Sequence, residues 1–184
     1  MDAAEFARSI RGAPRPEDRR TWFAALLRKE TRRKVQVVGG SAIEVYLSSA
    51  KYVTADVDIV GDRVRIEAVL ARWRFRRVTG RSHRAYWSHP DLGLVDVVGT
   101  TDKFGLPPRK VPTPYGVALV GAPEPLIVRR LYRSLRERSD GLFAEAVALG
   151  RLGGLDWDYL ESEARFEGVE SLLERLRAAV QRRG

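Results

Sequence analysis

The sequence contains no cysteine, one methionine and two histidines among its 184 residues. Without cysteine, disulfide bonds and thiolate zinc sites are excluded. His83 and His89 are too few for a histidine-rich metal cluster, and no Ser-His-Asp triad can be assembled around them. No apolar run approaches the roughly 20 residues that cross a bilayer, and residues 1–12 lack the apolar core of a signal peptide. These absences predict a cytoplasmic protein with no membrane segment.

Charge is the first feature that the sequence has in excess. The formal net charge is +9, from 33 basic and 24 acidic residues. Such an imbalance favours a polyanionic partner such as nucleic acid. The alternative is that the charge only serves solubility, because charge alone is a weak argument for nucleic-acid binding.

One continuous stretch, residues 35–60, organises the chain. Val35–Val38 is short and β-branched, which is typical of a buried strand. Gly39 and Gly40 follow and can form a sharp turn whose backbone N–H groups point at an anion. From Ser41 the apolar residues fall at helical spacing, so a helix is predicted to begin at the glycines.

The next segment, Asp56-Val57-Asp58-Ile59, alternates acidic and apolar residues with period two. It is predicted to be a strand with both carboxylates on one face. Neighbouring carboxylates repel each other unless a cation lies between them. A phosphate-binding turn that faces paired carboxylates is what metal-dependent phosphoryl or nucleotidyl transfer requires.

Asp96 lies within another apolar run, residues 94–98, that is predicted to be a strand. A lone carboxylate in such a run is costly unless it is paired, binds a metal or faces a cleft. The alternative is an edge-strand aspartate that faces water. Asp56, Asp58 and Asp96 are expected to converge on one cleft beside Gly39 and Gly40.

Together these residues resemble the DNA polymerase β-type nucleotidyltransferase superfamily, whose motif is a strand, Gly-Gly or Gly-Ser, a helix and an Asp-x-Asp strand. The most similar branch is that of the minimal AbiEii-like nucleotidyltransferases, which include toxins of toxin–antitoxin pairs. The resemblance covers roughly residues 35–98. It implies an α+β fold, with a nucleotidyltransferase-like mixed β-sheet and flanking helices in residues 1–120 and a helical region in residues 121–184.

The resemblance also implies a function, Mg²⁺-dependent transfer of a nucleotide from a nucleoside triphosphate to an acceptor. Asp56, Asp58 and Asp96 would hold Mg²⁺, and Gly39, Gly40 and Ser41 would bind the phosphates. In AbiEii-like chains the helix that follows residue 123 offers a lysine to the triphosphate, and here Arg129 and Arg130 occupy the corresponding place. The implied acceptor is RNA, with tRNA the best candidate, or else a protein or small molecule. A cognate antitoxin protein would be a further partner.

A second function stays open, that of a catalytically degenerate module with the same fold that binds nucleic acid or a partner protein. The spacer between Gly40 and Asp56 is slightly long for the family. Many relatives also carry an arginine where this chain has Tyr52, with Lys51 as a substitute. Both departures leave room for the second function.

The rest of the chain gives simpler patterns. Residues 1–16 show no clear periodicity, and the helix predicted from Glu17 is expected to place Arg19, Arg20 and Arg28 outside. Residues 63–73 are predicted to form a helix with Val64, Val69 and Leu70 inward. Residues 100–114 are predicted to form a long connection that carries Lys103, Arg109 and Lys110. Arg129, Arg133 and Arg136 form a basic stripe on the helix that starts at residue 123.

Overall fold

The computed structural model describes residues 1–48, 54–79, 85–100 and 105–182. Within these residues, the chain forms seven strands and eight helices. In chain order they are α1 (Ala3–Arg11), α2 (Pro16–Thr31), β1 (Val35–Val37), α3 (Gly39–Leu47), β2 (Asp56–Gly61), α4 (Arg63–Arg72), β3 (Arg76–Thr79), β4 (Ala85–His89), β5 (Gly93–Gly99), β6 (Arg109–Thr113), β7 (Gly116–Val120), α5 (Pro123–Glu137), α6 (Asp140–Gly150), α7 (Trp157–Glu167) and α8 (Glu170–Gln181).

The seven strands form one mixed sheet in the order β3-β4-β5-β2-β1-β7-β6. The pairs β2–β5 and β1–β7 are parallel, and the other neighbours are antiparallel. Both parallel pairs need long crossover connections, which helices supply between the paired strands. The predicted α+β fold, a mixed sheet with flanking helices, is therefore confirmed.

The chain divides into two compact units, Met1–Gly121 and Ala122–Gly184. The first unit contains the whole sheet and α1–α4. Its core is built from apolar residues of β1, β2 and β5, which pack with aromatic and aliphatic side chains of α1, α2 and α4. Alternation along β2 sends Val57 and Ile59 into this core, where they are 1% and 0% exposed.

Helix α1 lies in a segment for which the sequence predicted no element. Asp2 caps it, because its carboxylate accepts hydrogen bonds from the N–H groups of Ala4 and Glu5, and the Glu5 side chain reciprocates. Phe6 and Ile10 are fully buried, and the Phe6 ring stacks on Trp73 at 4.3 Å. Only two apolar residues anchor this helix, too few for a periodicity to be recognised from sequence.

Strand β6 replaces part of the predicted connection between residues 100 and 114. Arg109–Thr113 pairs antiparallel with β7 at the edge of the sheet. Pro112 is tolerated there because an edge strand needs no donor on its outer side. Lys103 lies outside the described residues. Because the segment is rich in proline, the sequence predicted a connection where the structure has an edge strand.

The inward face of α4 includes Val69 and Leu70, as predicted, but not Val64. Val64 is 79% exposed, whereas Ile66, Val69 and Leu70 are buried. These three residues and Trp73 follow the i, i+3, i+4, i+7 pattern of one helix face, and Val64 lies outside it.

The second unit consists of α5–α8, whose buried residues include Ile127, Leu131, Leu149 and Leu176. Gly150 lets α6 approach α8 closely, because a Cβ there would lie 3.0 Å from the side chains of Leu176 and Val180. No helix in the described ranges is long and apolar enough to cross a membrane.

Candidate active site

The pairing of β2 with β5 brings two of the three predicted carboxylates side by side. In this parallel ladder Asp58 lies directly opposite Asp96, and Asp56 lies opposite Leu94. Because side chains alternate, Asp56 and Asp58 share one face of the sheet with Asp96, opposite the face that carries Val57. The structure therefore gathers all three predicted carboxylates on one face.

The three carboxylates differ in exposure. Asp56 and Asp58 are half-buried, whereas Asp96 is 2% exposed. This excludes the alternative of an edge-strand aspartate facing water, since β5 lies inside the sheet between β4 and β2. An anionic Asp96 at this depth needs nearby positive charge or hydrogen-bond donors to be stable.

Gly39 and Gly40 form the turn from β1 into α3, beside the Asp-x-Asp strand. Gly39 has a φ of +62°, and a Cβ built on it would collide with Oδ2 of Asp58. A Cβ on Gly40 would lie 3.3 Å from Oγ1 of Thr54. Glycine is needed at position 39 both for the left-handed conformation and for the close approach of the carboxylate. The start of α3 and Asp58 are therefore in direct proximity.

The N-terminus of α3 supplies backbone donors at this place. The first N–H groups of a helix have no intrahelical acceptor, and among the described residues no side chain caps this end at Val38. The same end carries the positive pole of the helix dipole, which favours anions. Negative groups, whether a carboxylate or a phosphate, are stabilised here.

The Ser41 side chain makes two hydrogen bonds to the backbone of the Asp-x-Asp strand. It is fully buried, and its hydroxyl donates to the carbonyl of Asp56 at 2.8 Å while accepting the N–H of Asp58 at 3.1 Å. Both hydroxyl interactions go to the backbone on either side of Val57. Ser41 therefore ties α3 to the Asp-x-Asp strand.

A buried ion pair, Arg20 with Glu44, holds the beginning of the same strand. Nη2 of Arg20 lies 2.7 Å from Oε2 of Glu44, and both side chains are at most 10% exposed. The guanidinium also donates to the carbonyls of Thr54 and Asp56 at 2.8 and 2.9 Å. Glu44 accepts the N–H of Thr54 at 3.1 Å. These contacts fix the backbone from which Asp56 and Asp58 project.

The prediction that Arg20 faces solvent is wrong. Its position shares one helix face with Phe23, Leu27 and Thr31, which are all buried. That spacing, together with Glu44 among the buried residues of α3, is the signal that could have identified the pair. Sequence reasoning treated charge as a mark of exposure and so missed it.

The carboxylates are not gathered into a finished metal site. Oδ1 of Asp56 accepts a hydrogen bond from Oγ1 of Thr54 at 3.0 Å. Within the described part of the chain, no group of three or more histidine, cysteine, aspartate or glutamate side chains is arranged to hold a metal ion. The donor chemistry nevertheless suits Mg²⁺, which prefers carboxylate oxygens, and Asp58 and Asp96 share register and face.

The two arginines predicted to contact the triphosphate lie on α5 in the second unit. Arg129 is exposed, and Nε of Arg130 lies 2.6 Å from Oε2 of Glu145. On the same helix Arg133 pairs with Glu137 at 2.7 Å. Arg136 lies with its guanidinium carbon 5.9 Å from the ring centre of Tyr132. Arg130 and Arg133 thus have carboxylate partners within their own unit.

Of the other residues named from the sequence, two lie close to aromatic rings and three lie outside the described residues. His89 is buried among Phe6 and Phe75, and Arg109 lies with its guanidinium carbon 5.8 Å from the Tyr46 ring centre on α3. His83, Lys51 and Tyr52 lie outside the described residues.

Comparison with solved structures identifies the fold. The chain superposes on the crystal structure of an antigenic nucleotidyltransferase-like protein from Paracoccidioides brasiliensis, with a TM-score of 0.65 and 14% identity over 88% of this chain and 92% of that one. The fold is nucleotidyltransferase-like. The solution structure of the antibiotic-resistance factor ANT(2'')-Ia matches with a TM-score of 0.50 and 15% identity, over 97% of this chain and 99% of that one. No protein-family model and no curated protein sequence matches the chain.

Proposed function

We propose that the protein is a Mg²⁺-dependent nucleotidyltransferase that moves a nucleotide from a nucleoside triphosphate to an acceptor. The observation that carries the proposal is the register of Asp58 with Asp96 on parallel strands, beside the glycine turn that opens α3. Carboxylates next to a helix N-terminus combine metal ligands with donors for phosphate oxygens. The nucleotidyltransferase-like fold supports the same reaction.

Each residue then has a definite task. Asp58 and Asp96 would hold Mg²⁺ together with Asp56, whose Oδ1 accepts the hydrogen bond from Thr54. The bound ion would neutralise the triphosphate, as Mg²⁺ does in phosphoryl-transfer sites generally. The backbone N–H groups of Gly39, Gly40 and Ser41 bind phosphate oxygens.

The reaction proceeds by attack of an acceptor oxygen on the α-phosphorus. A bond forms between the acceptor oxygen and phosphorus, the bond to the β-phosphate oxygen breaks, and pyrophosphate leaves. Asp96 accepts the acceptor's proton. Arg129 and Arg130 are proposed to bind the triphosphate, since guanidinium groups pair well with phosphate.

The finer identity of the protein is part of the proposal. The Gly-Gly-Ser and Asp-x-Asp residues favour the AbiEii-like branch, in which the protein would be a toxin paired with an antitoxin. The excess of cationic residues favours RNA, with tRNA as the best candidate, over a protein or small-molecule acceptor.

A second candidate is a degenerate module that keeps the fold and binds nucleic acid or a partner protein without catalysis. The observation that favours it is the hydrogen bond that turns Asp56 towards Thr54, together with the lack of an assembled three-carboxylate cluster among the described residues. The two candidates differ in whether the protein consumes a nucleoside triphosphate when Mg²⁺ is present.

The deciding experiment incubates the protein with labelled nucleoside triphosphates, Mg²⁺ and total RNA, and compares it with the Asp58→Asn variant. The asparagine keeps the size of the side chain but removes the charged ligand. Transfer should fall by more than about 100-fold, since losing groups that merely orient metal ligands costs roughly 10- to 100-fold. Thermal unfolding should be little changed.

Asp158→Asn is the matched control, because it removes the same charge from an exposed position in the second unit. It should transfer at the wild-type rate. Activity that survives in Asp58→Asn, or that EDTA does not reduce, would exclude this site. No transfer by the wild-type protein to any acceptor would favour the degenerate module.

A further inference from the structure

A concavity of about 700 Å³ in the first unit is lined by cationic side chains. It lies where α2 ends and β1 begins, against the turn between β6 and β7. No acidic residue is among those that line it. The five cationic residues, named here the cationic groove, are Arg28, Lys29, Arg32, Arg33 and Lys34.

These five side chains lack the carboxylate partners that some surface arginines of the same unit have. Across the part of the chain that the structure describes, none of the five pairs with a carboxylate, and only Arg28 makes a side-chain hydrogen bond, to the carbonyl of Val117 at 2.9 Å. Elsewhere in the same unit, Arg11 pairs with Asp91 and Arg15 with Asp18. The groove therefore holds positive charge that the protein itself does not neutralise.

The C-terminus of α2 accounts for only part of this charge. Cationic residues in the last turn of a helix are stabilised by its dipole, and Arg28 and Lys29 occupy that turn. The dipole effect falls off within one turn. Arg32, Arg33 and Lys34 follow the end of the helix, so a second reason is needed for their accumulation.

The floor of the groove provides an aromatic ring. Tyr115 is half-buried and packs edge-on against Trp22, with ring centres 5.3 Å apart at 75°. Leu119 and Ala25 complete an apolar floor under the cationic rim. Cationic side chains around an aromatic platform are the recurring elements of single-strand binding grooves.

The groove is separate from the carboxylate site. In the antiparallel β1–β2 ladder Val35 lies opposite Gly61, while Val37 lies opposite Ile59. Lys34 therefore precedes one end of β1, and Gly39 follows the other. The groove and the carboxylates therefore lie at opposite ends of β1.

We propose that the cationic groove binds the phosphodiester backbone of a single-stranded nucleic acid. A backbone with one negative charge per nucleotide matches the five cations of the groove. An acidic protein segment would also bury apolar anchor residues, and for these the groove offers only Tyr115 and the apolar floor. The proposal goes beyond nucleotidyl transfer and does not require it. It adds a binding surface at the opposite end of β1.

The test measures fluorescence anisotropy of labelled RNA and DNA single strands of about 20 nucleotides, without triphosphate or Mg²⁺, between about 50 and 200 mM salt. The variant combines Lys29→Ala, Arg33→Ala and Lys34→Ala. Arg32 is left in place because its φ is +53°, and Arg28 because it binds Val117. The logarithmic salt slope should fall by about 2, which corresponds to about 100-fold weaker binding at 0.1 M salt.

The matched control removes three cationic charges from ion pairs elsewhere in the same unit, through Arg11→Ala, Arg15→Ala and Arg65→Ala. It should bind as wild type does. Equal binding of RNA and DNA supports contacts to the backbone alone, and stronger binding of RNA supports added contacts to the ribose hydroxyl.

Three results would overturn the proposal: a groove variant that binds as tightly as wild type, a control that loses as much, or polyglutamate that binds as tightly as the nucleic acids. Asp58→Asn should bind the strands as wild type does. A failure of nucleotidyl transfer is therefore distinguishable from a failure of the groove.

Discussion

The two ends of β1 differ in how their charged residues are held by other residues. At the Gly39 end, the Asp-x-Asp strand is held by hydrogen bonds from Ser41 and by the buried Arg20–Glu44 pair. At the Lys34 end, five cations extend from the surface without carboxylate partners among the described residues. A site that does chemistry needs fixed backbone geometry, whereas a surface that neutralises phosphates needs only a density of charge.

The largest effect that would sharpen this comparison is expected from Gly39→Ala. The new methyl group would collide with the Asp58 carboxylate. The backbone φ of +62° at residue 39 is also strained for alanine. We expect transfer to fall by about 100-fold or more, as for displaced metal ligands. Nucleic-acid binding by the cationic groove should be unchanged, as measured by anisotropy.

Gly61→Ala is the matched substitution at the other end of the β1–β2 ladder. A Cβ there would lie 2.8 Å from the carbonyl oxygen of Lys34 and 2.9 Å from Ile66. Overpacking of this kind costs about 1–3 kcal/mol of stability, yet the rate of transfer per folded molecule should be unchanged. Equal loss of transfer in both variants would contradict the separation of the two ends.

The second prediction concerns the buried pair at the carboxylate end. Arg20→Met or Glu44→Leu alone should lower the free energy of unfolding by about 3–5 kcal/mol, because each leaves an uncompensated buried charge. Chemical denaturation measures the change. The pair itself is imperfect, since Nε of Arg20 and Oε1 of Glu44 are buried with no hydrogen-bond partner in the described residues.

The double variant, Arg20→Met with Glu44→Leu, separates stability from positioning. Replacing both partners by apolar residues should restore most of the stability. The rate of nucleotidyl transfer should nevertheless remain below that of the wild type, because the carbonyls of Thr54 and Asp56 lose the guanidinium that holds them. A double variant with both stability and transfer restored would show that the pair has no positioning role.

The smallest expected effect is a loss of stability at acidic pH. It sets the pH range in which the two ends of β1 can be compared. Burial lowers the pKa of His89 below its ordinary value of about 6.5. Nearby Asp91 acts in the opposite direction and Arg11 in the same direction. The unfolded chain therefore takes up the proton first, so His89 contributes stability above about pH 6.5 that is lost as the pH falls towards its folded pKa.

Denaturation midpoints between about pH 7 and 5 check this expectation. The fall in stability should be smaller in His89→Gln than in wild type. An equal fall in both proteins would assign the acid sensitivity to the carboxylates instead.

The central part of the fold could be predicted because local patterns specify it. Gly39-Gly40, the helical spacing after Ser41 and the alternation from Asp56 each follow from backbone geometry within a few residues. The strand that carries Asp96 was predicted from an apolar run with a single acidic residue, although its parallel pairing with β2 was not. Asp96 is costly to bury alone, so its surroundings were expected to be polar.

The errors lie where distant residues decide the outcome. Arg20 is buried because Glu44 and the carbonyls of Thr54 and Asp56 meet it there. The helical spacing of Arg20 indicates an inward position, but it does not identify these partners. The same holds for β6, whose pairing comes from β7. Exposure of Val64 depended on which face of α4 the sheet covers.

By itself, the sequence determined the element types around residues 35–60, the excess of positive charge and the alternation that places Asp56 and Asp58 together. Only the tertiary structure decided that Asp96 stands in register with Asp58, that Gly39 must leave room for a carboxylate, and that Arg20 is buried. It also separated the cationic groove from the carboxylates by the length of one strand. The physical reason is range: backbone preference and periodicity act over a few residues, whereas burial and ion pairing act between residues that only the folded chain brings together.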